Sequence, residues 1–275
     1  MRQVDDNVAT MEMMEHPKTN TTEPSSMNLL FSLPPELLHP IFSLVGVENF
    51  RQDARRLCVC KKWYAYARPV LLGSLRLQSE DLYPMWRATR RGGTLKAAQK
   101  MTKHVDLTID TRWFEDMSAW RLEVLAQKLN QLTALHTLDI RPGEWKLSRP
   151  TRIFSGFVAL RQLTTLQIDL SNINFWRGGA HLCDFIHQLI PTLKRLRCRL
   201  SRICDDLLES PPGDLEELIL CVRTVESLGF YTRHCSAGHK YDGEHRAALE
   251  ERLVQFAASM HEPKIVRLVH CFQNA

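Results

Sequence analysis

Three arginines alternate along one short segment, at positions Arg195, Arg197 and Arg199. Alternate side chains of a strand share one face, so the three guanidinium groups are predicted to form a row. Guanidinium groups bind carboxylates and phosphates through paired hydrogen bonds, which makes this row a candidate binding site for an acidic or phosphorylated peptide. The alternative is structural, because Asp169 and Glu217 lie on the two neighbouring predicted strands and are suited to cross-strand ion pairs.

A second candidate site combines His234, Cys235, His239 and His245. Imidazole and thiolate groups are the usual ligands of zinc. The four residues include no C-x-x-C pair, however, and their spacing matches no common structural zinc site. We therefore expect no metal here and interpret 225–242 as a surface loop near the substrate-binding region.

Nothing else in the chain indicates catalysis. His181, Cys183 and His187 fall on a predicted helix where cysteine is commonly a buried small side chain. We find no glycine-rich phosphate loop after a strand and no motif of an activated serine or cysteine. We expect a non-catalytic protein without a cofactor.

The elements that carry the arginine row repeat along the chain. The pattern L-x-x-L-x-(hydrophobic) begins at Leu135, Leu163, Leu193 and Leu215, and weaker copies begin at His104 and Ile265. Spacings of 22 to 30 residues between the clear copies are close to those of leucine-rich repeats. Each copy predicts one short strand whose alternate side chains point inward. Stacking of neighbouring repeats then buries the apolar side chains that a single repeat would leave exposed.

Helical stripes lie between several of these strands. The apolar positions of the four stripes are Leu122, Leu125, Leu129 and Leu132; Ile153, Phe157 and Leu160; Leu182, Phe185, Ile186 and Leu189; and Leu249, Leu253, Phe256 and Met260. We therefore predict an α/β fold, an irregular leucine-rich-repeat-like solenoid of strands and helices over 72–275. The consensus asparagine of the repeat is missing, and a compact α/β domain with a similar strand pattern is the alternative.

The N-terminal part of the chain predicts three short helices over 33–71. Pro34, Pro35 and Glu36 favour a helix start, a second helix is predicted from about Asn49, and a third from about Lys62 to Val70, ended by Pro69. The apolar residues of the first helix cover an arc of about 160°, wider than one buried face requires. A core of about forty residues is marginal, so this excess predicts a partner that covers it.

The spacing of residues in this segment resembles that of the F-box family. The matching residues are Leu33, Pro34, Glu36, Leu37, Leu38, Ile41 and Phe42, followed by the run from Arg56 to Tyr64. The resemblance implies a three-helix F-box domain at 29–71 that docks onto the adaptor subunit of SCF-type cullin–RING ubiquitin ligases, and through it onto the cullin. Gly46, Val47 and Glu48 stand where the family often has a further leucine.

By position, the resemblance implies a set of residues that face the adaptor or the core beneath it. They are Leu33, Pro34, Leu37, Leu38, Ile41, Phe42, Leu57, Val59 and Trp63. It also implies that the chain is the substrate-recognition subunit of the ligase and that the repeat region binds a protein substrate, acidic or phosphorylated if the arginine row binds it. The alternative function is a repeat scaffold without a role in ubiquitin transfer.

Composition limits the class of protein. The 275 residues carry a net charge of +5, too small to indicate nucleic acid as a partner, and include no apolar run long enough for a membrane span. We expect 1–28 to be a disordered tail because it lacks hydrophobic periodicity. With no secretory signal predicted, the eight cysteines are interpreted as reduced thiols and the location as cytoplasmic, nuclear or both.

Overall fold

The computed structural model describes residues 30, 32–78, 94–109, 120–142, 156–170, 182–200, 203–209, 211–224 and 243–272. The predicted tail at 1–28 lies outside these residues, as do His234, Cys235 and His239, where we expected no metal, and the side chain of His245. In chain order the α-helices are α1 (Pro35–Val45), α2 (Val47–Gln52), α3 (Lys61–Gly73), α4 (Thr94–Gln99), α5 (Trp120–Asn130), α6 (Leu182–Leu189) and α7 (Gly243–Ser259).

Over the described residues the protein is a mixed α/β chain, in which seven strands form one parallel sheet in sequential order. The strands are β1 (Ser74–Gln78), β2 (His104–Ile109), β3 (Thr137–Pro142), β4 (Thr165–Leu170), β5 (Arg195–Leu200), β6 (Glu217–Thr224) and β7 (Ile265–Phe272). Short 3₁₀ helices lie at Ala54–Leu57, Phe157–Ala159, Ile190–Thr192 and Asp205–Leu208. The repeated sequence pattern therefore predicted each strand from β2 to β7.

The register of the sheet follows the four clear repeats, whereas in β2 and β7 Val105 and Val266, two residues before the leucines of the weak copies, stand beside the central leucines of β3 and β6. Leu138, Leu166, Leu196 and Leu218 are aligned from β3 to β6, and each is buried. Alternate side chains of the strands point to this inner face, where they pack with α5, α6, α7 and the 3₁₀ helices in one large core. We call the opposite surface the outer face; along β5 it carries Arg195, Arg197 and Arg199.

A second, smaller core lies in the segment from Pro35 to Gly73, which we call the head. Its fully buried side chains are Leu38, Phe42, Phe50 and Ala67, and eight partly buried apolar residues pack against them. The Phe42 ring lies edge-on to the Trp63 ring, with centroids 4.6 Å apart. Few side chains thus hold the head together, as the sequence predicted.

The predicted end of the third helix was wrong, because α3 continues through Pro69 to Gly73. Proline removes one helical hydrogen bond, that to the Ala65 carbonyl, and usually ends or kinks a helix. Here the last turn is held by tertiary contacts: the Thr102 hydroxyl donates to the Leu72 carbonyl and the Lys103 N–H donates to the Gly73 carbonyl, both at 2.8 Å. The second helix also begins earlier than predicted, at Val47 instead of about Asn49.

Candidate functional site

Helix α1 presents two apolar faces. Pro35 in its first turn and Glu36 near its positive end favour initiation, and Gly46, with a φ of 81°, ends it. Leu38 and Phe42 point into the head core and are fully buried. Leu37, Ile41 and Leu44, spaced by four and three residues, lie along another side of the helix.

We call Leu37, Ile41 and Leu44 the outer stripe. Leu37 is 52% exposed and Leu44 is 87% exposed, while Ile41 is half-buried without joining the head core. Full burial of a leucine side chain stabilises a protein or a complex by roughly 1.5–3 kcal/mol. Burial of the outer stripe by another molecule would therefore favour binding. The stripe has the chemistry of a binding surface for another protein.

The nine residues predicted to face the adaptor or the core divide by exposure. Leu38 and Phe42 are core residues; Leu33, Leu57 and Trp63 are half-buried against that core; Ile41 is half-buried on the outer stripe; Pro34, Leu37 and Val59 are exposed. The list omitted Leu44 and Tyr64, which are exposed apolar side chains of the same head. The spacing of Leu44 from Leu37 and Ile41 was the available signal for it.

The arginine row lies on the outer face, and each of its members is ion-paired. Arg197 Nε donates to Glu217 at 2.6 Å, and Arg195 Nε lies 3.9 Å from the same carboxylate. Arg199 lies 3.4 Å from Asp169 on the other side. The structure thus has the cross-strand pairing that the structural alternative predicted. The three arginine side chains remain at least half exposed, so they also stay accessible to a ligand.

A second polar network lies on the first three strands. His104 Nε2 lies 3.2 Å from Asp139, and its Nδ1 lies 3.4 Å from the Ser74 hydroxyl. This order of hydroxyl, imidazole and carboxylate is found in serine hydrolases. Asp139 is also 3.5 Å from Arg141, and Asp106 is 3.6 Å from Arg76, so we interpret the group as one ion-pair network across neighbouring strands.

Two titrating groups are shifted by their surroundings. The hydrogen bond from Lys264, 2.7 Å long, together with its charge, holds the pKa of Glu216 below its usual range. Burial, assisted by nearby Cys221, raises the pKa of the Cys198 thiol. Cys198 is therefore a protonated, apolar member of the core at neutral pH and a poor nucleophile.

Within the described residues, no cluster of three or more His, Cys, Asp or Glu side chains is arranged to hold a metal ion. In the same part of the chain, no helix combines the length and the apolar character that crossing a bilayer requires. No protein-family model matches the chain, and no curated protein matches it significantly. Function is therefore inferred from the geometry of the outer stripe and of the outer face.

Proposed function

We propose that this chain is the substrate-recognition subunit of an SCF-type cullin–RING ubiquitin ligase. In this proposal residues 29–71 form an F-box domain that binds the adaptor, and 72–275 form a leucine-rich-repeat-like region that binds the substrate. The chain itself is non-catalytic. Its contribution is to hold a substrate close to the ubiquitin-carrying enzyme, since proximity alone can accelerate a bimolecular transfer by orders of magnitude.

One observation carries the proposal: α1 buries one apolar face and exposes another. The inner face, with Leu38 and Phe42, completes the small core of the head. The outer stripe has no such role, and Val59 and Tyr64 add further exposed apolar surface to the same head. Burial of these side chains by an adaptor would add apolar contacts to a head whose own core is small.

The sheet supports the second half of the proposal. Over the described residues, seven parallel strands lie in sequential order and six of them, β2 to β7, coincide with copies of the leucine pattern, as stacked repeats would produce. Repeats of this kind present an extended surface to binding partners, and the outer face is such a surface. The working compartment in this proposal is the cytoplasm, the nucleus or both.

The test of adaptor binding uses the full chain co-expressed with the SCF adaptor. Replacing Leu37 and Leu44 by alanine should weaken the purified complex by about tenfold or more, because central apolar anchors dominate protein interfaces. Both side chains are largely in water, so the melting temperature of the free chain should change little. The matched control is Val254→Ala on α7, where the side chain is 69% exposed and far along the chain from the head.

A third variant separates folding from binding. Phe42→Ala should destabilise the head by about 3–5 kcal/mol and abolish binding through unfolding. If the chain does not co-purify with the adaptor, or if the Leu37 and Leu44 variant binds it as tightly as the wild type, the ligase proposal is wrong. A chain that is monomeric and indifferent to the adaptor would instead support the repeat scaffold.

A further inference from the structure

The outer face of the sheet changes character along its length. From β1 to β5 every described outward side chain is polar. These residues are Ser74, Arg76, Gln78, His104, Asp106, Thr108, Thr137, Asp139, Arg141, Thr165, Gln167, Asp169, Arg195, Arg197 and Arg199. Five strands thus follow the simple rule of apolar residues inside and polar residues outside.

The last two strands break this rule. On β6 the outward residues Ile219 and Cys221 are apolar and half-buried, and on β7 Ile265 is half-buried and Val269 is 38% exposed. We call these four residues the apolar patch. Strands with apolar residues on both sides are typical of parallel sheets that are covered on both faces. The composition of β6 and β7 therefore indicates that the patch is covered when the protein works.

The charges around the apolar patch indicate what covers it. The outward residues of β4 to β7 include four arginines, namely Arg195, Arg197, Arg199 and Arg267, and two carboxylates, Asp169 and Glu217. Arg267 is exposed, and among the described residues no hydrogen bond or ion pair of its guanidinium is seen. The surface thus has a surplus of positive charge, and one arginine is ready to bind a carboxylate.

The register of the strands indicates how far apart two acidic groups of a ligand must be to pair with two arginines of this surface. Arg197, Ile219 and Arg267 lie side by side on β5, β6 and β7. Strands are about 4.8 Å apart, so the two arginines stand roughly 10 Å apart with an isoleucine between them. In a polyproline II chain, residues i and i+3 share one side and are about 9 Å apart. Two acidic residues three positions apart would thus reach both arginines, and the apolar residue between them would lie on the neighbouring edge of the three-sided helix, over Cys221 and Val269 beside the line of the arginines.

We infer that the outer face of β5 to β7 binds an extended acidic peptide of the substrate, with an apolar side chain on the patch and flanking carboxylates on Arg197 and Arg267. Approach of a carboxylate to Arg197 competes with Glu217, whereas Arg267 is open. Arg267 is therefore the principal anchor. The inference rests on the proposed function, because it names the class of substrate segment that the ligase subunit would select.

The probe is a fluorescein-labelled peptide with the core Glu-Pro-Leu-Glu, and binding to the full chain is measured by fluorescence anisotropy. One comparison peptide has lysine at both glutamate positions, and another has serine in place of leucine. We expect binding of the first peptide only, and weaker binding at high salt because the arginines are exposed.

Variants of the chain test the two halves of the site. Arg267→Glu should weaken binding at least tenfold, because the loss of one hydrogen bond between charged groups typically lowers affinity by about that factor or more. Arg267→Gln should have an intermediate effect. Val269→Glu or the milder Val269→Ser should also weaken binding. The matched controls are Arg161→Glu, an exposed charge reversal before β4, and Val254→Glu on α7, and neither should change the affinity.

The same variants are tested for adaptor binding, which separates this inference from the proposed function. Loss of peptide binding with adaptor binding intact supports the inference. Equal peptide binding by wild type, Arg267→Glu and Val269→Glu overturns it. It is also overturned if Val269→Glu converts a dimeric chain into a monomer, or if the peptide binds only after deletion of 225–242, because the patch is then covered by a second copy or by this chain itself.

Discussion

At the scale of single residues, Glu217 organises the arginine row. Its side chain is only 10% exposed, yet it lies within ion-pair distance of both Arg195 and Arg197. A buried carboxylate needs such partners, because an unpaired charge away from water is costly. Two arginines that share one carboxylate leave one positive charge uncompensated. The row is therefore both a structural ion-pair group and a source of the positive surface proposed to bind acidic peptides.

The pH dependence of stability gives a prediction for Cys198. Its thiol is fully buried and its pKa is raised, whereas an unfolded cysteine ionises near pH 8.5. Below that pH the thiol is protonated in both the folded and the unfolded state, so the difference between the two pKa values does not affect stability. Above it the unfolded state releases a proton that the folded state retains, so stability falls as pH rises, by about 1.4 kcal/mol at one unit above the unfolded pKa.

Urea denaturation between pH 8 and pH 9.5 measures this effect. Cys198→Ala should show a smaller decrease in the free energy of unfolding over this range than the wild type, even though its cavity lowers stability at every pH. Other ionising groups contribute equally to both proteins and cancel in the comparison. Identical pH dependences would mean that the thiol ionises in the folded state.

At the scale of the elements, tertiary contacts extend one helix past a proline and restrict one turn to glycine. Helix α3 continues past Pro69 because Leu72 and Gly73 accept hydrogen bonds from Thr102 and Lys103, which follow α4. The start of β6 depends on a turn in which Gly213 has a φ of 55° and lies against the backbone of Pro191. A hypothetical Cβ at Gly213 would lie 2.6 Å from the Pro191 carbonyl oxygen, which no side chain tolerates without a backbone shift.

A glycine series tests this close approach. Gly213→Ala combines an unfavourable positive φ with the collision against Pro191 and should lower the free energy of unfolding by about 2–3 kcal/mol. Gly46→Ala has nothing nearer than 3.9 Å, but its φ of 81° and ψ of 152° fall in a region that is essentially restricted to glycine, so we expect a loss of about 1–3 kcal/mol from the backbone alone.

Gly73→Ala is the control of the series, because it lies in α3 with nothing within 4 Å of a Cβ. It should leave stability unchanged or raise it by up to about 1 kcal/mol. The measurement is urea denaturation of the three variants. A loss at Gly213 of no more than about 1 kcal/mol, which a positive φ alone would cause, would contradict the role assigned to the contact with Pro191.

At the scale of the whole molecule, several contacts join the head to the first strand of the sheet. Helix α3 leads directly into β1, and Glu48 of α2 pairs with Arg76 of β1 at 3.1 Å. Arg51 connects the same elements, since it pairs with Glu48 at 2.8 Å and donates to the Ser74 carbonyl. In the proposed ligase, these contacts would hold the outer face in a defined direction relative to the adaptor.

Hydrogen exchange tests this connection. In the wild type, amides of α2 and α3 should open with free energies close to those of β1, because these contacts are expected to make the elements unfold as one unit. Arg51→Ala removes the bonds to Glu48 and Ser74 and should lower protection in the head by about 1–2 kcal/mol while the strands β3 to β5 keep theirs. Arg252→Ala, which removes an exposed ion pair between α7 and Glu209, is the control. Equal protection in Arg51→Ala and wild type would show that Arg51 contributes nothing to the connection.

The sequence by itself determined the strands, the inner face of the sheet and the inner face of α1. These features depend on the alternation of apolar residues at periods of 2 and 3.6, which local geometry imposes on any chain. It also predicted that Arg195, Arg197 and Arg199 share a face, and that Asp169 and Glu217 are their neighbours. The repeats made this possible, since aligned copies imply aligned strands.

Only the tertiary structure decided how these faces are used. The exposure of Leu44, the continuation of α3 through Pro69 and the position of Arg267 beside Ile219 all depend on contacts between residues far apart in the chain. The pairing of both Arg195 and Arg197 with one carboxylate likewise required the strand register. Local patterns determine which way a side chain points, whereas the packing of distant elements determines what it meets.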